Sequence, residues 1–198
     1  MVRNIQIRSA KKVRERKTIG FLGVEAGVGT THIAIAAANY AANEWGMSTA
    51  VAELGRHLCI SSMDEDEAES DCFVRERVCY YPQVLSMHVP QLLNASHELF
   101  VLDLGCEQEN WQEFLRCDLK YLVASLSPWR VNQAEQFMEN HECEPIKNYI
   151  TALLTVTGNV YEKKRFQRAY HVPVRTIPFI PDPFLLVKDQ LPFFQQLL

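Results

Sequence analysis

No apolar run in this chain approaches the ~20 residues that a membrane-spanning helix requires, and no apolar core near its N-terminus reads as a secretory signal. None of the six cysteines (Cys59, Cys72, Cys79, Cys106, Cys117 and Cys143) stands in a C-x-x-C pair, so free buried or half-buried thiols are expected. His141 and Cys143, two positions apart on a polar stretch, fix no tetrahedral zinc site by themselves. Internal repeats, low-complexity tracts and any linker long enough to separate a pair of domains are also missing. What remains is a chain of 198 residues, 47% apolar and 22% charged, the profile of a globular protein. A domain of this size buries about 70% of the surface of its unfolded chain and needs no disulfide to do so. These features predict a single soluble domain in the cytoplasm.

Charge is unevenly spread. Seven bases (Arg3, Arg8, Lys11, Lys12, Arg14, Arg16 and Lys17) face only Glu15 within residues 1–17, while the whole chain carries a net −4. Residues 1–17 therefore read as a basic leader and 18–198 as the domain. Such a leader suits nucleic acid, anionic membrane or an acidic protein face. The alternation in Asn4-Ile5-Gln6-Ile7-Arg8 is that of a short strand more than of an amphipathic membrane helix. The acidic excess of the rest disfavours a polyanion, so an internal partner or a protein is preferred. Asp64, Glu65, Asp66, Glu67, Glu69 and Asp71 form an acidic run, expected to be a surface loop.

Apolar runs alternate with helical stretches, the pattern of a doubly wound, mostly parallel α/β sheet flanked by helices. Strands are expected at 18–24, 48–54, 78–81, 99–104, 119–125, 150–157 and 174–180. Helices are expected at 32–45 with Gly46 as its stop, at 109–116, 132–140 and 162–170. Two further helices are predicted at 82–96, interrupted by Pro90, and at 185–198, broken at Pro192.

The informative segment is Gly20-Phe21-Leu22-Gly23-Val24-Glu25-Ala26-Gly27-Val28-Gly29-Thr30-Thr31, lying between an apolar strand and a helix. Glycines there let successive backbone N–H groups turn toward an anion, and the helix aims its positive end at the same place. Asp103 ends the apolar strand Phe100-Val101-Leu102-Asp103 and is followed by Leu104-Gly105; Glu53 ends Val51-Ala52-Glu53.

In order and spacing these segments resemble the MinD/ParA family of P-loop ATPases with a deviant Walker A loop, closest in look to its CpaE/TadZ pilus-assembly branch. The family's K-G-G-x-G-K-T-[ST] loop aligns with Glu25 to His32, and its Walker B strand looks like Phe100 to Gly105. Ser127-Pro128-Trp129 takes the place of the next strand-end loop. Thr157-Gly158-Asn159 is similar to the strand-end asparagine that reads adenine, and Val172-Pro173-Val174 with Ile177-Pro178 resembles the last strand and its turn. The resemblance implies a P-loop NTPase-like fold and a nucleotide site made of Gly27, Val28, Gly29, Thr30, Thr31 and Asn159. It implies Mg²⁺ at Thr31 and Asp103, with Glu53 to orient a water.

Against that pattern, the loop lysine is Thr30, the signature lysine is Glu25 and the first loop glycine is Ala26. Each lysine would supply a charge-assisted hydrogen bond of about 1.5–3 kcal/mol. Losing one weakens phosphate binding roughly tenfold or more. Phosphoryl transfer depends on cationic stabilisation of the transferred group, so ATP or ADP with Mg²⁺ is expected to bind weakly or not at all, and hydrolysis to be slow. The expected function is a degenerate ATPase serving as a localisation, scaffold or regulatory component of a larger assembly, of pilus or secretion type by resemblance. Its partners would be proteins of that assembly and a homodimer that does not depend on ATP. The helix 162–168 and the apolar Leu191, Phe193, Phe194, Leu197 and Leu198 are the candidate contact surfaces. The alternatives are a slow genuine ATPase whose lysines are replaced by other bases, from the leader or a partner, and an adaptor that reaches DNA or the membrane periphery through residues 3–17; within the domain, Arg130 is a candidate to replace a missing cation.

Overall fold

The computed structural model describes residues 16–56, 59–63 and 71–198. The basic leader up to residue 15 and the acidic run from 64 to 70 lie outside these, and the readings of both stay with the sequence.

Elements follow in the order β1 (Lys17–Gly23), α1 (Thr30–Glu44), β2 (Thr49–Glu53), β3 (Phe73–Arg75), β4 (Val78–Tyr81), α2 (Val89–Leu92), β5 (Leu99–Asp103) and α3 (Trp111–Arg116). They continue with β6 (Leu119–Val123), α4 (Val131–Glu139), α5 (Glu144–Lys147), β7 (Ala152–Thr155), α6 (Val160–Tyr170), β8 (Val174–Thr176) and α7 (Leu191–Leu197). The strands form one eight-stranded sheet in the order β3-β4-β2-β5-β1-β6-β7-β8. Among the described residues, only β3 runs antiparallel to its neighbour. The expected doubly wound, mostly parallel sheet is therefore present.

Strand alternation sends the core to both faces. Ile19 and Phe21 of β1 pack with the alanine-rich α1 and with Phe194 and Leu197 of α7. Leu22 and Leu102 pack on the other face with Phe114 of α3, Ala134 of α4 and Phe166 of α6. Helix α1 is buried over most of its length because its alanines fit closely against β1, β2 and β5. Gly46, at φ +62, ends it as expected, and the Met47 N–H donates back to the Ala41 carbonyl at 3.1 Å.

Two predicted helices are shorter than their apolar patterns. Pro90 and Pro192 stand in the first turns of α2 and α7, where a missing N–H is harmless. They start these helices instead of interrupting longer ones. Ahead of α7, Gln190 holds the irregular chain: its Nε2 donates to the Phe179 carbonyl at 2.7 Å, and its Oε1 accepts from the Val187 N–H at 2.9 Å. The edge strand β3 was not expected. Its hairpin turns at Glu76 and Arg77, both at positive φ, without the Asn-Gly or Asp-Gly pair that announces such turns. Among the described residues, no helix is long and apolar enough to cross a membrane.

Strand β1 has β5 on one side and β6 on the other, so successive strands β5 and β6 straddle it. The connections leaving β1 and β5 go to opposite faces of the sheet, α1 to one and α3 to the other. A crevice at the carboxyl ends of strands opens where connections diverge in this way.

Candidate functional site

That crevice is a cleft of about 440 Å³ lined by Glu25, Ala26, Gly27, Gly29, Thr30 and Thr31 of the β1–α1 loop and by Asp103, Gly105 and Cys106 after β5. His32, Gly55 and Cys59 complete it. The loops are tied to one another by their backbones. Gly23 N–H donates to the Gly105 carbonyl at 2.7 Å, and Leu54 N–H to the Asp103 carbonyl at 2.8 Å. Gly105 and Gly55 face each other so closely that a Cβ on Gly55 would meet the Gly105 Cα at 3.0 Å. Both strands end in the same pattern, a carboxylate, a leucine and a glycine: Glu53-Leu54-Gly55 and Asp103-Leu104-Gly105.

Gly29 is the N-cap of α1 at φ +93, a left-handed conformation that turns the chain into the helix. Among the described residues, no group accepts a hydrogen bond from the backbone N–H of Gly27, Val28, Gly29, Thr30 or Thr31. Free N–H donors at a helix N-terminus are the groups from which anion-binding concavities are built. Val28 is buried beneath the loop, so only its backbone serves that purpose. Thr30 is also tucked inward, its Oγ1 only 2.6 Å from where a Cβ on Gly23 would stand. Its short side chain packs inside the loop.

Thr31, Asp103 and Cys59 all line the cleft, with the Thr31 hydroxyl among the groups that favour the ionised Asp103 carboxyl. Asp103 is almost fully buried, and its Oδ1 accepts from Gly105 N–H at 3.3 Å. Burial above all, with the charge of Glu107, pushes its carboxyl above the ordinary aspartate range, while the bonds from Thr31 and Gly105 pull the other way. Glu53 is wholly buried; its Oε1 accepts from Ile60 N–H at 2.9 Å, and its Oε2 has no hydrogen-bond partner among the described residues. Burial first, then the charge of Asp103, raises its carboxyl too. The fold thus brings Thr31 and Asp103 together in the lining of the cleft and buries Glu53 next to Asp103 in the sheet.

Asn159 stands apart from this group. It caps α6, its Oδ1 accepting from Glu162 N–H at 2.9 Å, and it does not line the cleft. Arg130, the N-cap residue of α4, reaches the loop from the other side: Nε donates to Glu25 Oε1 at 2.9 Å and Nη2 to the Ala26 carbonyl at 3.1 Å. Sequence reasoning passed over Gly55, Cys59, Cys106 and His32. Gly55 was marked by the repeated carboxylate–Leu–Gly pattern. His32 is used structurally, its Nε2 2.8 Å from the Ile180 carbonyl and so able to donate to it.

The donor set fits a phosphate group through its backbone and a divalent cation through Thr31 and Asp103, but the loop contributes no cation of its own. No protein-family model matches the sequence, and no curated protein matches it. Among solved structures, the MinD cell division protein of Aquifex aeolicus is similar at a TM-score of 0.68 and 12% identity, over 91% of this chain and 95% of that one. A plasmid partition protein of Borrelia burgdorferi B31 bound to AMPPNP is similar at 0.67 and 15% identity, over 92% and 97%. MinD of Pyrococcus horikoshii complexed with Mg-ADP is similar at 0.56 and 14% identity, over 84% and 82%. At such identities the likeness is one of fold, and this chain has the P-loop NTPase fold of MinD- and ParA-type ATPases.

Proposed function

We propose that this chain is a MinD/ParA-like nucleotide-binding module that takes ATP or ADP with Mg²⁺ weakly and hydrolyses ATP inefficiently. It acts as a localisation, scaffold or regulatory component of a larger assembly, of pilus or secretion type by its CpaE/TadZ-like look. One observation carries the reading. The Gly27–Thr31 loop presents unpaired N–H donors beside Asp103, while Glu25 and Thr30 stand where the family has lysines. The neutral half of a phosphate site is kept and its cations are lost.

When bound, Mg²⁺ would neutralise phosphate charge; Thr31 and Asp103 are the residues to hold it. Glu53 would orient a water, and Asn159 would reach adenine only by giving up its cap on α6. The nucleotides bound by the Borrelia burgdorferi protein and by the Pyrococcus horikoshii MinD support the choice of ligand. A MinC:MinD complex from Aquifex aeolicus supports a life in assemblies. With no signature lysine to bridge two nucleotide sites, a homodimer of this chain forms through side chains and not through ATP.

Calorimetric titration of Mg-ATP into the protein and into Thr30→Lys tests the reading. Weak binding by the protein, tightened roughly tenfold or more by the restored lysine, is expected. An intact Thr30→Lys variant that binds no better than the parent would contradict it.

A further inference from the structure

The guanidinium of Arg130 crosses from the start of α4 to the β1–α1 loop and is held there by two acceptors, Glu25 Oε1 and the Ala26 carbonyl, at 2.9 and 3.1 Å. The two charged side chains are only 34% and 23% exposed, so this is a partly desolvated pair. Glu25 and Ala26 both line the cleft. A carboxylate is thus built into a loop whose N–H groups favour an anion, and its charge is balanced by a cation from another strand's connection.

We propose that Glu25 and Arg130 form a latch on the cleft: Arg130 is the cation that engages the phosphates of a bound nucleoside triphosphate, and Glu25 is the internal carboxylate those phosphates displace. The inference rests on the reading of the cleft as a nucleotide site. A guanidinium has five N–H donors in a rigid plane, so the bond to the Ala26 carbonyl can persist while Nε exchanges one anionic oxygen for another. A polyphosphate with Mg²⁺ offers several such oxygens and also meets the unpaired N–H groups of residues 27–31, which the Glu25 carboxylate leaves without a partner. The loop without lysines therefore still has a cation beside it, at the cost of first breaking an ion pair. Weak binding follows from the latch and not only from the missing lysines.

The test is titration of Mg-ATP into the full chain and into Glu25→Gln, Arg130→Ala, Arg130→Lys and the Glu25→Gln/Arg130→Ala double variant, with melting curves to establish folding. Glu25→Gln keeps the shape of the side chain and frees the guanidinium, so ATP should bind roughly tenfold tighter or better. Arg130→Ala should bind more weakly than the parent, Arg130→Lys should fall between, and the double variant should lose the gain of Glu25→Gln. A Glu25→Gln variant that binds no better, or a gain that survives in the double variant, overturns the latch. If Thr30→Lys binds ATP while Glu25→Gln gains nothing, the latch fails and the nucleotide site stands. If the parent, Glu25→Gln and Thr30→Lys all fail to bind, both fall.

Discussion

Glu53 lies directly opposite Asp103 in the register of β2 and β5; both carboxyls are buried, and of the two Asp103 lines the cleft. Each has its affinity for a proton raised by burial, and each adds to the effect on its neighbour or feels another acid nearby.

A raised carboxyl favours the folded state when protonated and works against it once ionised. For Glu53 the penalty sets in as pH rises from the ordinary glutamate value of 4.5 through the higher folded value. Glu53→Gln keeps the acceptor for Ile60 N–H and cannot ionise. Its melting temperature should exceed that of the parent at neutral pH, and the gap should close as the pH is lowered toward 4.5. Scanning calorimetry across that range checks it; a gap independent of pH would show that Glu53 holds its proton no more tightly in the folded protein than in the unfolded chain.

The Gly55–Gly105 contact makes a second prediction. A Cβ at Gly105, whose φ is +58, would collide with Glu107 Oε2 and lie 2.8 Å from the Gly55 Cα. The glutamate can move, but the opposing backbone cannot without spreading the two loops. Gly105→Ala should cost about 1–3 kcal/mol, lowering the melting temperature by about 2–4 °C for each kcal/mol. ATP affinity measured on the same variant should fall as the loops spread.

The C-terminal apolar residues make a third. Of the candidate contact surface, Phe194 and Leu197 are buried against the chain's own sheet, with the Phe194 ring stacked on Tyr40 at 5.5 Å between centroids. Phe194→Ala should destabilise by about 3–5 kcal/mol. Sedimentation of the folded fraction should show no change in association, because this side chain faces inward.

Tyr80 makes a fourth. Its buried hydroxyl accepts from Asn39 Nδ2 at 3.1 Å inside the α1–β4 contact, and burial, ahead of its other influences, pushes the phenol up to about 12. Tyr80→Phe leaves Asn39 with only the Ile35 carbonyl and should cost about 1 kcal/mol, readable in chemical denaturation. No ionisation of Tyr80 should appear in absorbance titrations below about 12 while the fold is intact.

The central strands and the parallel class of the sheet were legible because β1, β2 and β5 are largely apolar runs that the fold buries. Short elements were harder to read. The apolar spacing around 82–96 and 185–198 was real, but residues such as Leu85 and Leu185 are exposed, and prolines delay the helices until Val89 and Leu191. The glycine loop and the two strand-end carboxyls announced the cleft. The Arg130–Glu25 pair could not be found by spacing, because its partners lie 105 positions apart and meet only when β6 is laid beside β1. Asn159 shows the converse: a Gly-Asn pair at a strand end is also the chemistry of a helix cap, and capping α6 is the contact it makes.

A single-turnover experiment, with protein in excess over radiolabelled Mg-ATP and rapid quenching, tests the central claim most directly. The label should be bound, by filter retention or equilibrium dialysis, and recovered as intact ATP with phosphate release no faster than in buffer. Rapid release of phosphate that Asp103→Ala abolishes and Thr30→Ala leaves untouched would contradict it, and would make this loop a working catalyst without its lysines.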